Sequence, residues 1–134
     1  MTKVLTVGVF DLLHRGHVEL FRRARELGDY LIVAVQDSDY VSKWKPESST
    51  VESTEDRCYM AAAVRYVDEV VVYKEVADIV RSVDFDIFVK GPDQKHEGFL
   101  SAVKWCEDHG KKVVVLSRTE GISSSDLKKD IKSR

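Results

Sequence analysis

Five short runs of the chain are almost continuously apolar and rich in β-branched and aromatic residues: positions 4–10, 30–36, 69–73, 87–90 and 112–116. Such runs suit strands buried on both faces of a parallel sheet, where no face needs to be polar. Between them the apolar positions recur every three or four residues. Residues 17–27 place Val18, Phe21, Ala24 and Arg25 or Leu27 at helical spacing and close at Gly28, where a helix C-cap is expected. Residues 54–66 repeat the pattern through Cys58, Ala61, Ala62 and Arg65. Shorter helices are predicted over 76–83 and 99–109, the second ending at Gly110, and a last one over 123–131, opened by serines that suit an N-cap.

Strands alternating with helices imply right-handed βαβ crossovers. The expected fold is therefore α/β: a Rossmann-like doubly wound sheet of about five parallel strands with helices on both faces, built as a single domain over residues 1–134. Ligands of such sheets bind beyond the carboxyl ends of the strands, where the strand order reverses. Residues 37–53 stand apart, being polar and serine-rich, with Pro46 and no clear period. They read as a long irregular loop of the kind that usually serves as a lid or binding loop.

Composition narrows the function classes. A chain of 134 residues that is 43% hydrophobic and 33% charged can bury one core and is neither disordered nor collagen-like. Its net charge of −2 provides no global basic field for nucleic acid or an anionic membrane, so an anionic partner has to be held by local groups. No run approaches the ~20 apolar residues of a membrane span. The start Met1-Thr2-Lys3-Val4 passes directly into a strand-like segment without the layout of a signal peptide, and a cytoplasmic protein is expected. Cys58 and Cys106 lie far apart in helix-like surroundings and read as buried spectator thiols in a reducing compartment.

The first strand leads into Gly8-Val9-Phe10-Asp11-Leu12-Leu13-His14-Arg15-Gly16-His17. Two histidines three apart at a helix start share one side of the first turn. That turn also presents unpaired N–H groups and the positive end of the helix dipole, and Gly16 lets a ligand approach the backbone. Together these make a phosphate site. Spacing alone leaves three other roles open: a metal pair lacking further nearby ligands, exposed helix-start polar residues, or a packed core histidine. The dinucleotide fingerprint GxGxxG is absent, which counts against NAD or FAD. The fifth strand leads into Arg118-Thr119-Glu120-Gly121-Ile122-Ser123-Ser124-Ser125, again a strand end, a glycine turn, hydroxyls and a helix start, with Arg118 suited to phosphate oxygens. By itself this stretch could be helix capping alone. Two such starts at strand carboxyl ends can converge on one crevice.

GVFDLLHRGH and RTEGISSS resemble the HxGH and RTxGISST signatures of the cytidylyltransferase branch of the nucleotidyltransferase superfamily, and above all its bacterial glycerol-3-phosphate cytidylyltransferases. The likeness runs over nearly the whole chain, including Leu27-Gly28-Asp29-Tyr30 and Arg65-Tyr66-Val67-Asp68-Glu69-Val70. The resemblance implies transfer of CMP from CTP to a small phosphomonoester, a polyol or sugar-alcohol phosphate such as glycerol 3-phosphate, releasing pyrophosphate. It also implies Mg²⁺ brought with CTP, a homodimer, and a product serving as a precursor of cell-surface polysaccharide.

Residue by residue, the resemblance makes His14 and His17 grip the triphosphate and stabilise the transition state. Gly8, Val9, Phe10, Asp11 and Gly16 then line the nucleotide, with Asp93 nearby. Arg118, Thr119, Gly121, Ile122, Ser123 and Ser124 hold the terminal phosphates. Lys43 or Lys45 matches the catalytic lysine region, and Arg57 and Arg65, eight apart on one expected helix, match arginines that bind substrate, with a structural carboxylate such as Asp68 an equally open partner for Arg65. Asp11 is equally suited to a structural role in its turn. Two departures concern the substrates. Val76 and Ile79 stand where the glycerol-3-phosphate enzymes carry an aromatic and a lysine facing the acceptor, and Val89-Lys90-Gly91 resembles ATP-using relatives that adenylylate sugar phosphates. The alternatives are an adenylyltransferase acting on a sugar phosphate, a nucleotide-binding module without catalysis, or a structural flavodoxin-like subunit.

Overall fold

The computed structural model describes residues 1–44, 50–92, 94 and 96–117. In chain order the elements are β1 (Lys3–Gly8), α1 (Arg15–Arg25), β2 (Tyr30–Gln36), α2 (Ser38–Trp44), α3 (Thr54–Ala62), β3 (Glu69–Tyr73), α4 (Val76–Ser82), β4 (Ile87–Lys90), α5 (Glu97–Asp108) and β5 (Lys112–Val115). All strand pairs are parallel, and the sheet order is β3-β2-β1-β4-β5. The chain winds outward from β1 to β3, then returns to the other side of β1 for β4 and β5. The switch point therefore lies between the carboxyl ends of β1 and β4, where such sheets bind ligands.

The apolar runs are explained by burial on both sides. Along β1 and β2, Val4, Leu31, Val33 and Val35 join one core cluster with Phe21 and Ala24 of α1 and Ala61 of α3. The intervening Leu5, Val7, Ile32 and Ala34 join the other, with Val76, Ile79 and Val80 of α4 and Phe99, Ala102 and Cys106 of α5. Alternate residues point to opposite faces of a strand, and here each face meets helices.

Three expectations need correction. Residues 37–53 are not loop throughout, because α2 occupies Ser38–Trp44; Val41 N–H donates to Asp37 O at 3.1 Å, and Val41 is buried. The helix expected over 54–66 stops at Ala62. Val64, Tyr66 and Val67 still pack on the core, but in successive turns that turn the chain so that Asp68 N–H reaches Leu31 O at 3.0 Å and the sheet resumes. Gly28 is demanded by close approach, since a Cβ there would lie 2.5 Å from Thr2 O. Gly110, by contrast, has φ +71°, the left-handed helix stop that glycine favours. The last expected helix, 123–131, lies outside the described residues.

Candidate functional site

The loop from β1 to α1 is built on unusual backbone. Phe10 and Leu12 have φ of 53° and 52°, a left-handed conformation that costs non-glycine residues about 1–2 kcal/mol each. Phe10 folds its ring back over Gly8, where a Cβ would stand 2.8 Å from its Cζ. The ring then packs edge-on against His17 and Phe21, with centroids 5.6 and 5.0 Å away.

Hydrogen bonds to the segment before α3 hold the strained loop. Asp11, 1% exposed, accepts Val51 N–H at 2.7 Å and Glu52 N–H at 3.0 Å, one on each carboxylate oxygen. The Glu52 carboxylate accepts Leu12 N–H at 2.8 Å. On the other side of the switch point, Gln94 accepts Gly91 N–H on its side-chain oxygen at 2.8 Å and donates its amide to Val7 O at 3.1 Å. Its backbone carbonyl receives Lys90 Nζ at 2.9 Å. The carboxyl ends of β1 and β4 are thereby joined.

His14 is the N-cap of α1, its Nδ1 accepting Gly16 N–H at 3.0 Å. Three residues on, His17 Nδ1 accepts His14 N–H at 3.2 Å. This is a capping box in which imidazoles replace the usual hydroxyl and carboxylate. The rings stack with centroids 3.8 Å apart and planes 21° apart. A backbone N–H can only donate, so each Nδ1 supplies a lone pair. Each neutral ring therefore carries its proton on Nε2, which is its donor atom. Two neutral donors side by side, at a helix start with no acidic residue in its first turn, suit an incoming anion. Among the described residues, no three His, Cys, Asp or Glu side chains group so as to hold a metal ion.

Arg57, assigned to substrate by resemblance, is wholly buried. It donates to Val9 O at 2.7 Å, Glu52 O at 3.2 Å, Ser38 Oγ at 2.5 Å and Thr54 Oγ1 at 3.3 Å. Loss of water pushes its guanidinium below the usual range, with Asp11 the largest opposing influence. Arg65 is exposed and beyond the end of α3, so the two arginines do not share a helix. Lys43 is on α2. Lys45, Asp93, Arg118, Thr119, Gly121, Ile122, Ser123 and Ser124 lie outside the described residues. The chain is nevertheless pinned one residue before Arg118, where Arg23 of α1 donates to Ser117 O at 2.9 Å. Val76 and Ile79 do not face an acceptor; at 4% and 8% exposed they belong to the core. Beside them Tyr40 donates its hydroxyl to Glu75 at 2.8 Å.

Residues 5–130 match the family described as cytidylyltransferase-like. The chain belongs to that family. This cytidylyltransferase-like chain is 42% identical over 134 residues to the glycerol-3-phosphate cytidylyltransferase of Staphylococcus aureus, covering 98% of this chain and 96% of the relative. It is 40% identical over 136 residues to the enzyme of that name from Bacillus subtilis, covering 98% of each. Among solved structures, the lipopolysaccharide core biosynthesis protein from Thermoplasma volcanium superposes with a TM-score of 0.71 at 25% identity, over 89% of this chain and 97% of that one.

The sequence marks the histidine pair and leaves unmarked the groups that hold the surrounding backbone and Arg57. Ser38, Glu52, Thr54 and Gln94 gave no sign, because polar residues in polar segments carry no periodicity to single them out.

Proposed function

We propose that this cytidylyltransferase-like protein transfers CMP from CTP to a small phosphorylated alcohol, with glycerol 3-phosphate the first candidate, releasing pyrophosphate and a CDP-alcohol. The observation that carries this reading is the pair of Nε2–H donors at the head of α1, in a chain 42% identical over nearly its whole length to an enzyme of that name.

The chemistry fits a site whose described part is rich in donors. A phosphomonoester is largely doubly ionised at neutral pH, its second pKa being about 6, so the attacking oxygen requires no general base. That oxygen forms a bond to the α-phosphorus as the bond to the bridging oxygen breaks, and pyrophosphate leaves with the electron pair. Negative charge spreads over the phosphoryl oxygens, so catalysis rests on alignment and preorganised donors. His14 and His17 supply two such donors. Lys43 or Lys45, with Arg118 to Ser124, supplies the charge and amides for the departing phosphates. Mg²⁺ is proposed to arrive as part of the CTP complex, held chiefly by the phosphates, as this ion usually is in phosphoryl-transfer sites. A homodimer, a cytoplasmic location and a product used for cell-surface polysaccharide belong to the same reading.

A pyrophosphate-release assay crossing CTP and ATP with glycerol 3-phosphate, other polyol phosphates and sugar phosphates tests it. CTP with a polyol phosphate is expected to give the highest kcat/KM. A preference for ATP with a sugar phosphate would replace the substrates and keep the reaction class. Nucleotide binding without turnover by folded protein would overturn the enzyme reading.

A further inference from the structure

Arg57 is the largest fully buried side chain among the described residues, and its four hydrogen bonds all go to neutral acceptors: two carbonyls and two hydroxyls. The ion pairs Lys3–Asp84, Arg22–Glu19, Arg22–Glu26 and Arg25–Asp68 all lie elsewhere. Burying a guanidinium whose hydrogen bonds all go to neutral groups is costly even with the Asp11 carboxylate as the largest favourable charge, and a space that needed only filling is served better by an apolar residue.

What the guanidinium achieves is connection. Val9 belongs to the loop leading to His14, Ser38 opens α2, and Glu52 and Thr54 flank the start of α3. Its planar fork reaches three segments at once, whereas a lysine offers one centre. The segment after α2 carries Lys45, and α2 itself carries Lys43. We propose that Arg57 is a positioning residue for nucleotidyl transfer, setting the distance between the histidine-bearing loop and the lysine-bearing helix without touching substrate. This proposal rests on the transferase reading above.

The test measures kcat and KM for CTP and acceptor in wild type, Ser38→Ala, Ser38→Thr and Arg57→Lys, alongside thermal melts. Misplacing catalytic groups by about 1 Å costs about 100-fold, so Arg57→Lys is expected to lower kcat about 100-fold, and Ser38→Ala, which loses one of the four bonds, about 5-fold. Both KM values are expected to stay within about 2-fold, because binding groups remain while their alignment is lost. Ser38→Thr restores the hydroxyl and is expected to recover most of the lost kcat. If Arg57→Lys fails to fold, the two Ser38 variants decide. An active wild type whose Ser38→Ala retains full kcat, or a variant whose acceptor KM alone rises, overturns the positioning role. A wild type inactive with every nucleotide and acceptor overturns the transferase reading and this proposal together.

Discussion

Asp11 and Glu52 cross-brace two segments of backbone, Asp11 holding Glu52 and Glu52 holding Leu12, the residue after Asp11. The Asp11 carboxylate accepts Glu52 N–H at 3.0 Å, and the Glu52 carboxylate accepts Leu12 N–H at 2.8 Å. The two contacts close over a loop whose Phe10 and Leu12 are both left-handed. Strained backbone persists where its surroundings over-determine it, and this reciprocal latch is the local reason the loop keeps its shape.

Glu52→Ala and Asp11→Asn separate the two halves of the latch. Losing the partner of a buried donor costs about 1–3 kcal/mol, so each variant is expected to unfold at lower urea concentration with an unchanged m-value. The double variant should lose less than the sum, because the two contacts brace one loop. Strict additivity in chemical denaturation would show that the contacts act separately.

His14 combines a cap with a donor, and two substitutions pull these apart. His14→Asn keeps a side-chain acceptor at the N-cap, where asparagine is among the best residues, whereas His14→Ala gives up about 1 kcal/mol. Both lose the Nε2–H, and both are expected to lower kcat about 100- to 1,000-fold. Melting curves and turnover on the same samples check this, and near-normal turnover in a folded His14→Asn would remove the imidazole from the chemistry.

Two glycines are tight for different reasons. A Cβ at Gly28 meets the backbone carbonyl of Thr2 at 2.5 Å, whereas a Cβ at Gly8 meets the ring of Phe10. Gly28→Ala is expected to destabilise by about 1–3 kcal/mol, as overpacking does, with turnover per folded molecule intact. Gly8→Ala instead displaces a ring that packs on His17 and is expected to reduce CTP turnover even where the protein remains folded. Pyrophosphate release from CTP per folded molecule, read beside thermal melts, distinguishes the two.

Cys106 is wholly buried, and burial pushes its thiol from 9.0 up to about 11. Between those values the unfolded chain sheds a proton that the folded chain keeps, so stability falls as pH rises through that window. Below it the thiol is neutral in both states and contributes no slope. Cys106→Ala is expected to flatten the fall in denaturation midpoint over this range. The native thiol should resist alkylation at pH 8, because the thiolate is the reactive form, and rapid labelling there would contradict its burial.

Much of the fold is legible in the sequence. Strands β2, β3 and β4 begin and end where their apolar runs do, because a strand buried on both faces needs an unbroken apolar run, which is visible locally. The histidine pair was legible for a similar reason: i and i+3 on one turn is a matter of covalent spacing. Helix α2 was not, since seven residues with Val41 as its one described buried side chain carry too few positions to establish a period. The end of α3 was equally hidden, because Val64, Tyr66 and Val67 bury themselves on the sheet in turns as well as they would in a helix.

The chain's own order of residues determined the parallel α/β architecture, the phosphate-seeking start of α1 and the family, since each depends on neighbours a few positions apart. Tertiary structure alone decided that Arg57 faces protein acceptors, that Val76 and Ile79 lie in the core, and that the Asp11 and Glu52 carboxylates brace two segments some forty positions apart. Those outcomes depend on which distant segments folding places side by side, and an isolated side chain carries no local mark of the partner that will satisfy it.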